Sequence, residues 1–130
     1  MRDFAVIFDN DGVLVDSEGI SEEAFLRAAR EQGVLVDPAR MPGYCGLTDA
    51  DIARDLELLG AGKLDLSRFE ARKTELYFEL AGADPGVRAF AGFRFLAESL
   101  PDAAIPFAVA SSGSARKVAF NLEQAGLADL

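Results

Sequence analysis

The sequence predicts an α/β fold in which a partial parallel sheet carries an inserted bundle of helices. Three observations lead there. Residues 4–8 (FAVIF) and 105–110 (IPFAVA) are short, continuous apolar runs, the pattern of strands buried on both faces of a parallel sheet. Each run ends abruptly in polar residues, Asp9 in the first and Ser111-Ser112-Gly113-Ser114 in the second. The interval 9–104 between them reads as helix after helix, far more than the single crossover helix that joins two parallel strands. It leaves room for a small helical bundle inserted as a cap.

Each element has its own signals. The first helix is expected over 17–32, with Gly33 as its stop. A second opens at Thr48, where Asp51 three residues on makes a weak capping box; Ile52, Leu56 and Leu59 share a face, and Gly60 ends it. A third starts near Ser67, with Glu70 completing the box and Phe69, Leu76 and Leu80 turned inward. A fourth is expected over 86–100, aligning Val87, Phe90, Ala97 and Leu100. The last opens at Ser114 and stops at Gly126, with Leu127 placed for an apolar contact across the helix end. Pro106 falls at the start of its strand, where a missing donor is tolerated. Breaks at 12–17 and 82–86 are the expected hinges of the insert, so residues 1–16 and 84–130 form the α/β core and 17–83 the helical cap.

Composition narrows the chemistry. Half of the residues are hydrophobic, enough for a sizeable core and against disorder. Net charge is −9, which repels phosphate backbones and argues against nucleic acid as a partner. An anionic small molecule needs local cations or a metal to offset that field. Histidine is absent, which removes Ser-His and Cys-His machinery and imidazole zinc sites. Cys45 is the single cysteine, so no internal disulfide forms; without a basic neighbour it is expected to be a small half-buried residue. No apolar run approaches the roughly 18 residues of a membrane span. The N-terminus turns acidic too soon for a secretory signal. A cytoplasmic protein without membrane contact is expected.

The stretch FDNDGVLVDSE, residues 8–18, admits two readings. Asp9, Asp11, Gly12 and Glu18 match the spacing of a calcium loop, but its first ligand would be Ile7 and no helix precedes it. The alternative is a carboxylate pair at the carboxyl end of a strand, where open α/β sheets bind ligands. Residues two apart point to one side, so Asp9 and Asp11 address a single ligand, one attacking phosphorus while the other handles protons. Two carboxylates repel a phosphate, and hard oxygen donors select Mg²⁺ to offset this. Ser111 also follows a strand end, and the Ser-Gly-Ser after it leads into a helix, a hydroxyl and free N–H groups suited to phosphate. Plain turn and helix caps would use the same residues.

FDNDGVLVDSE and AVASSGSARKV (residues 108–118) together resemble the two N-terminal motifs of the haloacid dehalogenase-like hydrolase superfamily. The likeness is to its capped phosphatase and β-phosphoglucomutase-like branch. GLTDADIARDL (46–56) resembles that branch's substrate-specificity segment, and PGVRAF (85–90) its re-entry from cap to core. The resemblance implies a Rossmann-like core with a helical cap and a Mg²⁺-dependent phosphoric-monoester hydrolase. Asp9 would form the phosphoaspartate, and Asp11 would act as acid and base. Asp9 and Asp11 would bind the metal; Asn10, Ser111 and Ser112 would hold the phosphoryl group; and Gly46, Thr48 and Asp49 would meet the substrate, a small sugar or polyol phosphate.

The same resemblance sets limits. The family's lysine and acidic pair are expected beyond Leu130, so the chain is read as the first part of a longer protein with little turnover alone. Lys117, one turn into the last helix, is expected to face solvent and not to replace that lysine. Ser21 and Asp49 stand where mutases carry a histidine and an arginine, which favours a phosphatase over a sugar-phosphate mutase. A non-catalytic phosphate-binding or regulatory protein is the third alternative.

Overall fold

The computed structural model describes residues 4–45, 47, 49–60 and 62–129, the side chains of 49 and 50 excepted. It divides into two compact units: Met1–Gly19 with Ala81–Leu130, and Ile20–Leu80.

In the first unit, β1 (Val6–Asp9) pairs in parallel with β4 (Phe107–Ala110), with Val6 opposite Phe107 and Asp9 opposite Ala110. Pro106 contributes its carbonyl, which accepts from the Val6 amide, so the imino acid costs the ladder nothing. Phe8 meets Phe93 edge to face at 5.0 Å and Phe107 at 6.2 Å between ring centres, which covers one side of the sheet. The expectation of strands buried on both faces is not met: Ile7 is 70% exposed and Val109 36%. The two lie on opposite faces, since Val109 is the register partner of Phe8 and Ile7 that of Ala108.

A second pairing was not legible in the sequence. β2 (Val15–Asp16) and β3 (Arg88–Ala89) pair antiparallel, Val15 opposite Ala89. The Phe90 amide extends the pairing by donating to the Leu14 carbonyl. This displaces the helix expected over 86–100, which instead runs over Phe93–Asp102 as α5, entered through a left-handed Gly92. Val87, Ala97 and Leu100 are buried as expected, but Val87 is buried from an extended segment and Phe90 is exposed. The last helix, α6 (Ala115–Gln124), agrees with its signals: Ser114 Oγ accepts from the Lys117 amide, and Leu127, buried beyond Gly126, donates to the Leu122 carbonyl.

The second unit is helical. α1 (Glu18–Glu31) buries Ala24, Phe25, Ala28 and Ala29, a stripe at helical spacing, and Phe25 packs edge to face on Phe69 at 5.1 Å. A short 3-10 turn, Pro38–Arg40, leads into α2 (Met41–Tyr44), followed by α3 (Asp49–Leu59). Leu56 is buried on α3 while Leu59, expected on the same face, is exposed. α4 (Leu66–Ala81) begins earlier than expected. Its cap is Asp65, whose carboxylate accepts from the Arg68 amide, not Ser67. The Gln32 carboxamide bonds both the N–H and the carbonyl of Asp65, fixing that cap against the end of α1. Cys45, expected half-buried, is exposed.

Ala81 closes α4 in a turn that returns the chain to the first unit. Gly86 there has φ +56°, and a Cβ would lie 2.4 Å from the Ala83 carbonyl oxygen and 2.6 Å from that of Ala81. Gly33 has φ +78° with nothing within 4 Å of such a Cβ. Gly86→Ala therefore combines left-handed strain with a backbone collision and should cost more than about 2 kcal/mol. Gly33→Ala should cost only the strain, about 1 kcal/mol. Urea unfolding followed by far-UV circular dichroism measures both.

Candidate active site

Asp9 is the last residue of β1 and is exposed. Its carboxylate accepts from the Asn10 amide at 2.7 Å. The chain then closes a tight loop: the amides of Leu14 and Val15 both donate to the Asn10 carbonyl, and the Gly12 amide donates to that of Val15. Gly12 has φ +73°, a left-handed conformation that favours glycine, and a Cβ there would also have to displace the Glu18 carboxylate, 2.8 Å away. Asp11 is thereby held at the end of the sheet. Asn10 is fully buried, and neither atom of its carboxamide makes a hydrogen bond of ordinary geometry. Its backbone N–H, expected to face a phosphate, is engaged by Asp9.

Two residues converge on Asp11 Oδ1. Ser17, fully buried at the entrance to α1, donates its hydroxyl, and Lys117 Nζ donates at 2.8 Å. The expectation that Lys117 faces solvent is corrected: its side chain is only 25% exposed and reaches back from α6 to the strand end. Burial pushes the Asp11 carboxyl up, but the bonds from Lys117 and Ser17 outweigh it and hold the group below its ordinary value of 3.8. The Asn10 carboxamide adds the smallest lowering, through a contact too poor in geometry to be a hydrogen bond. Asp11 is thus a carboxylate at neutral pH.

β4 delivers the other half. Because Asp9 lies opposite Ala110, the segment that follows, Ser111 to Ser114, emerges beside Asn10 and Asp11. Ser111 Oγ accepts from the Gly113 amide at 3.0 Å, and Ser112 is exposed. A Cβ placed on Gly113 would lie 3.2 Å from Ser111 Oγ, 3.6 Å from Lys117 Cδ and 3.8 Å from Asp11 Oδ2. A hydroxyl, a lysine stem and a carboxylate therefore surround one small volume that only glycine leaves open.

The residues expected to meet substrate fall elsewhere. Gly46 and Thr48 lie outside the described residues, as does the side chain of Asp49, whose backbone opens α3. Nearby in the helical unit, Arg40 bonds Asp55 through both carboxylate oxygens and Tyr44 donates its hydroxyl to the same group. These three line an open cavity of about 380 Å³ with Ala39, Gly43 and Leu47. Sequence reasoning missed Ser17 and Lys117. The available signal was a lone lysine one turn past a strand-end hydroxyl in a chain with so large an acidic excess.

The chain matches the family model for haloacid dehalogenase-like hydrolases over residues 6–130. It is 32% identical over 127 residues to Protein SUPPRESSOR OF QUENCHING 1, chloroplastic, of Arabidopsis thaliana, a match covering 95% of this chain and 12% of that protein. A solved structure of a candidate β-phosphoglucomutase from Thermotoga maritima is 26% identical with TM-score 0.70, covering 97% of this chain and 57% of that one. A HAD family hydrolase from Deinococcus radiodurans R1, with bound phosphate and sodium, is 27% identical with TM-score 0.64, covering 96% and 53%. The chain spans just over half the length of these solved relatives and a small part of the plant protein. Among the described residues no helix is long and apolar enough to cross a membrane.

The Asp11 cluster has a pH signature. A carboxyl lowered in the folded state adds stability that is present above its ordinary value and is lost as pH falls through the lowered one. Ser17→Ala should therefore cost about 1 kcal/mol at neutral pH, allowing for the partial exposure of Asp11. That difference from wild type should shrink as the pH is taken below 3.8. Urea midpoints between pH 2.5 and 7 check it.

Proposed function

As the chain belongs to the haloacid dehalogenase-like hydrolase family, we propose that its protein is a phosphoric-monoester hydrolase working through a phosphoaspartate on Asp9. One observation carries the reading: the in-register ends of β1 and β4 bring Asp9 and Asp11 beside Ser111 and the backbone amides that follow it. A nucleophile, a proton carrier and oxyanion donors are the parts that phosphoryl transfer needs, since positioning and electrostatics do most of the work. In this reading residues 17–83 act as the cap that selects the substrate, with Gly46, Thr48 and Asp49 toward a sugar or polyol phosphate. Residues 1–16 and 84–130 act as the core.

Asp9 Oδ attacks phosphorus in line, the ester oxygen leaves with a proton from Asp11, and water then attacks the phosphoaspartate after losing a proton to Asp11. Ser111 Oγ–H and the Ser112 amide bind phosphoryl oxygens, while the Gly113 amide holds Ser111 Oγ in place. As found, Asp11 is in the base form suited to the second half-reaction, and it must take up a proton for the first.

The donor set at this strand end fits Mg²⁺ in kind. Asp9 offers a hard carboxylate oxygen and Asp11 its backbone carbonyl, and Mg²⁺ is usually held by one or two carboxylates with several waters and the substrate phosphate. Bound by Asp9 and Asp11, the ion would neutralise phosphoryl charge that two carboxylates would otherwise repel. The Deinococcus relative has phosphate and sodium bound, which is in keeping with an anion ligand and a cation for this family member.

The similarity to a candidate β-phosphoglucomutase favours a second reading, a sugar-phosphate mutase. It would need a bisphosphate activator and release little phosphate. The test uses the longest form of the protein, a panel of sugar and polyol phosphates, and phosphate release with Mg²⁺ or with chelator. Asp9→Asn should lower turnover by a factor on the order of 10⁴ or more. Retained turnover in Asp9→Asn would remove the nucleophile assignment, and activator-dependent isomerisation would select the mutase.

A further inference from the structure

We infer that Lys117 is a phosphoryl-binding residue of this site, a cation that α6 delivers to the ligand from within the chain. The inference rests on the phosphoryl-transfer reading above and adds to it a residue that the strand-end motifs do not predict.

A lysine on a short amphipathic helix ordinarily runs its ammonium out to water. Lys117 does the opposite, with its side chain partly buried and Nζ 2.8 Å from Asp11 Oδ1. Ser114 fixes the direction, because its Oγ accepts from the Lys117 amide and so sets the first turn of α6. The stem passes Gly113, where its Cδ would be 3.6 Å from a Cβ, on the same small volume that Ser111 Oγ and Asp11 Oδ2 border. An anion lying against Ser111 and Asp11 therefore lies within reach of the ammonium.

Charge gives the reason for it to be there. A phosphate monoester brings about 1.5 to 2 negative charges at neutral pH. It must approach Asp9 and Asp11 on a chain of net charge −9. An ammonium is a compact charge with three donors, able to serve Asp11 and a phosphoryl oxygen together.

The test is phosphate binding by the 130-residue chain, with no turnover required. Inorganic phosphate is titrated in the presence of MgCl₂ and followed by ³¹P NMR. Lys117→Met should weaken binding about tenfold or more, the scale of one lost charge-assisted hydrogen bond, while Lys117→Arg stays within about threefold. Ser111→Ala is the comparator. If Ser111→Ala weakens binding and Lys117→Met does not, the lysine is only a partner of Asp11 and the inference falls while the site stands. If neither changes binding, or the wild-type chain binds no phosphate, the inference falls together with the placement of the anion at the strand ends. A measurement without variants guards against misfolding. The Lys117 ¹³Cε and ¹⁵Nζ resonances of the wild-type chain should shift on phosphate saturation, and unmoved resonances would overturn the inference.

Discussion

The parallel pairing of β1 with β4 is the constraint on which the rest depends. Four backbone registrations, from Val6 with Phe107 to Asp9 with Ala110, place two chain segments side by side at their carboxyl ends. Residues 10–106 lie between these segments. Side chains in a parallel pair keep their faces in step, so a slip of one residue would invert every neighbour relation at the site. Phe8 resists such a slip by wedging edge-on against Phe93 and Phe107 on the covered face. The β2–β3 pairing and the Phe90–Leu14 hydrogen bond tie down the loop that carries Asp11 from its other side. The acidic loop is thus braced by both extended pairings of its unit.

Stability and chemistry pull against each other within that loop. Asn10 sits fully buried between two acids with its carboxamide unsatisfied, an arrangement that costs about 1 to 3 kcal/mol. An acidic residue held partly out of water beside it would be worse without compensation, and Ser17 and Lys117 supply that compensation for Asp11. Gly113 completes the arrangement by keeping a volume open that any side chain would crowd. Strain and unpaired polarity of this kind collect where a site has to be pre-organised for a ligand.

Much of this was legible in the sequence, and the misreadings have physical causes. The two apolar runs, Ser114 as a cap and the Gly126–Leu127 ending of α6 are local signals, and the structure agrees with each. The placement of Asp9, Asp11 and Ser111 at strand ends was legible because a strand end announces itself by where the apolar run stops. The helix expected over 86–100 failed because Val87, Phe90, Ala97 and Leu100 do repeat with helical spacing. What overrides the period is a non-local pairing of Arg88–Ala89 with Val15–Asp16, which no local pattern contains. Asp65 displaced Ser67 as a cap because Gln32, far away in sequence, brackets it. Lys117 was misjudged for a related reason. A helical wheel gives the direction of a Cβ, whereas a long side chain can turn back to a partner 106 residues away.

The central claim is that the ends of β1 and β4 form one oxyanion site. Backbone amide chemical shifts of the ¹⁵N-labelled chain, followed as inorganic phosphate is added with Mg²⁺ present, test it most directly. The account predicts the largest shifts at Asn10, Asp11, Ser111, Ser112 and Gly113, saturating together with a single affinity. Shifts centred instead on Arg40, Tyr44 and Asp55, or shifts at Asn10 and Asp11 that saturate independently of those at Ser111 to Gly113, would contradict it.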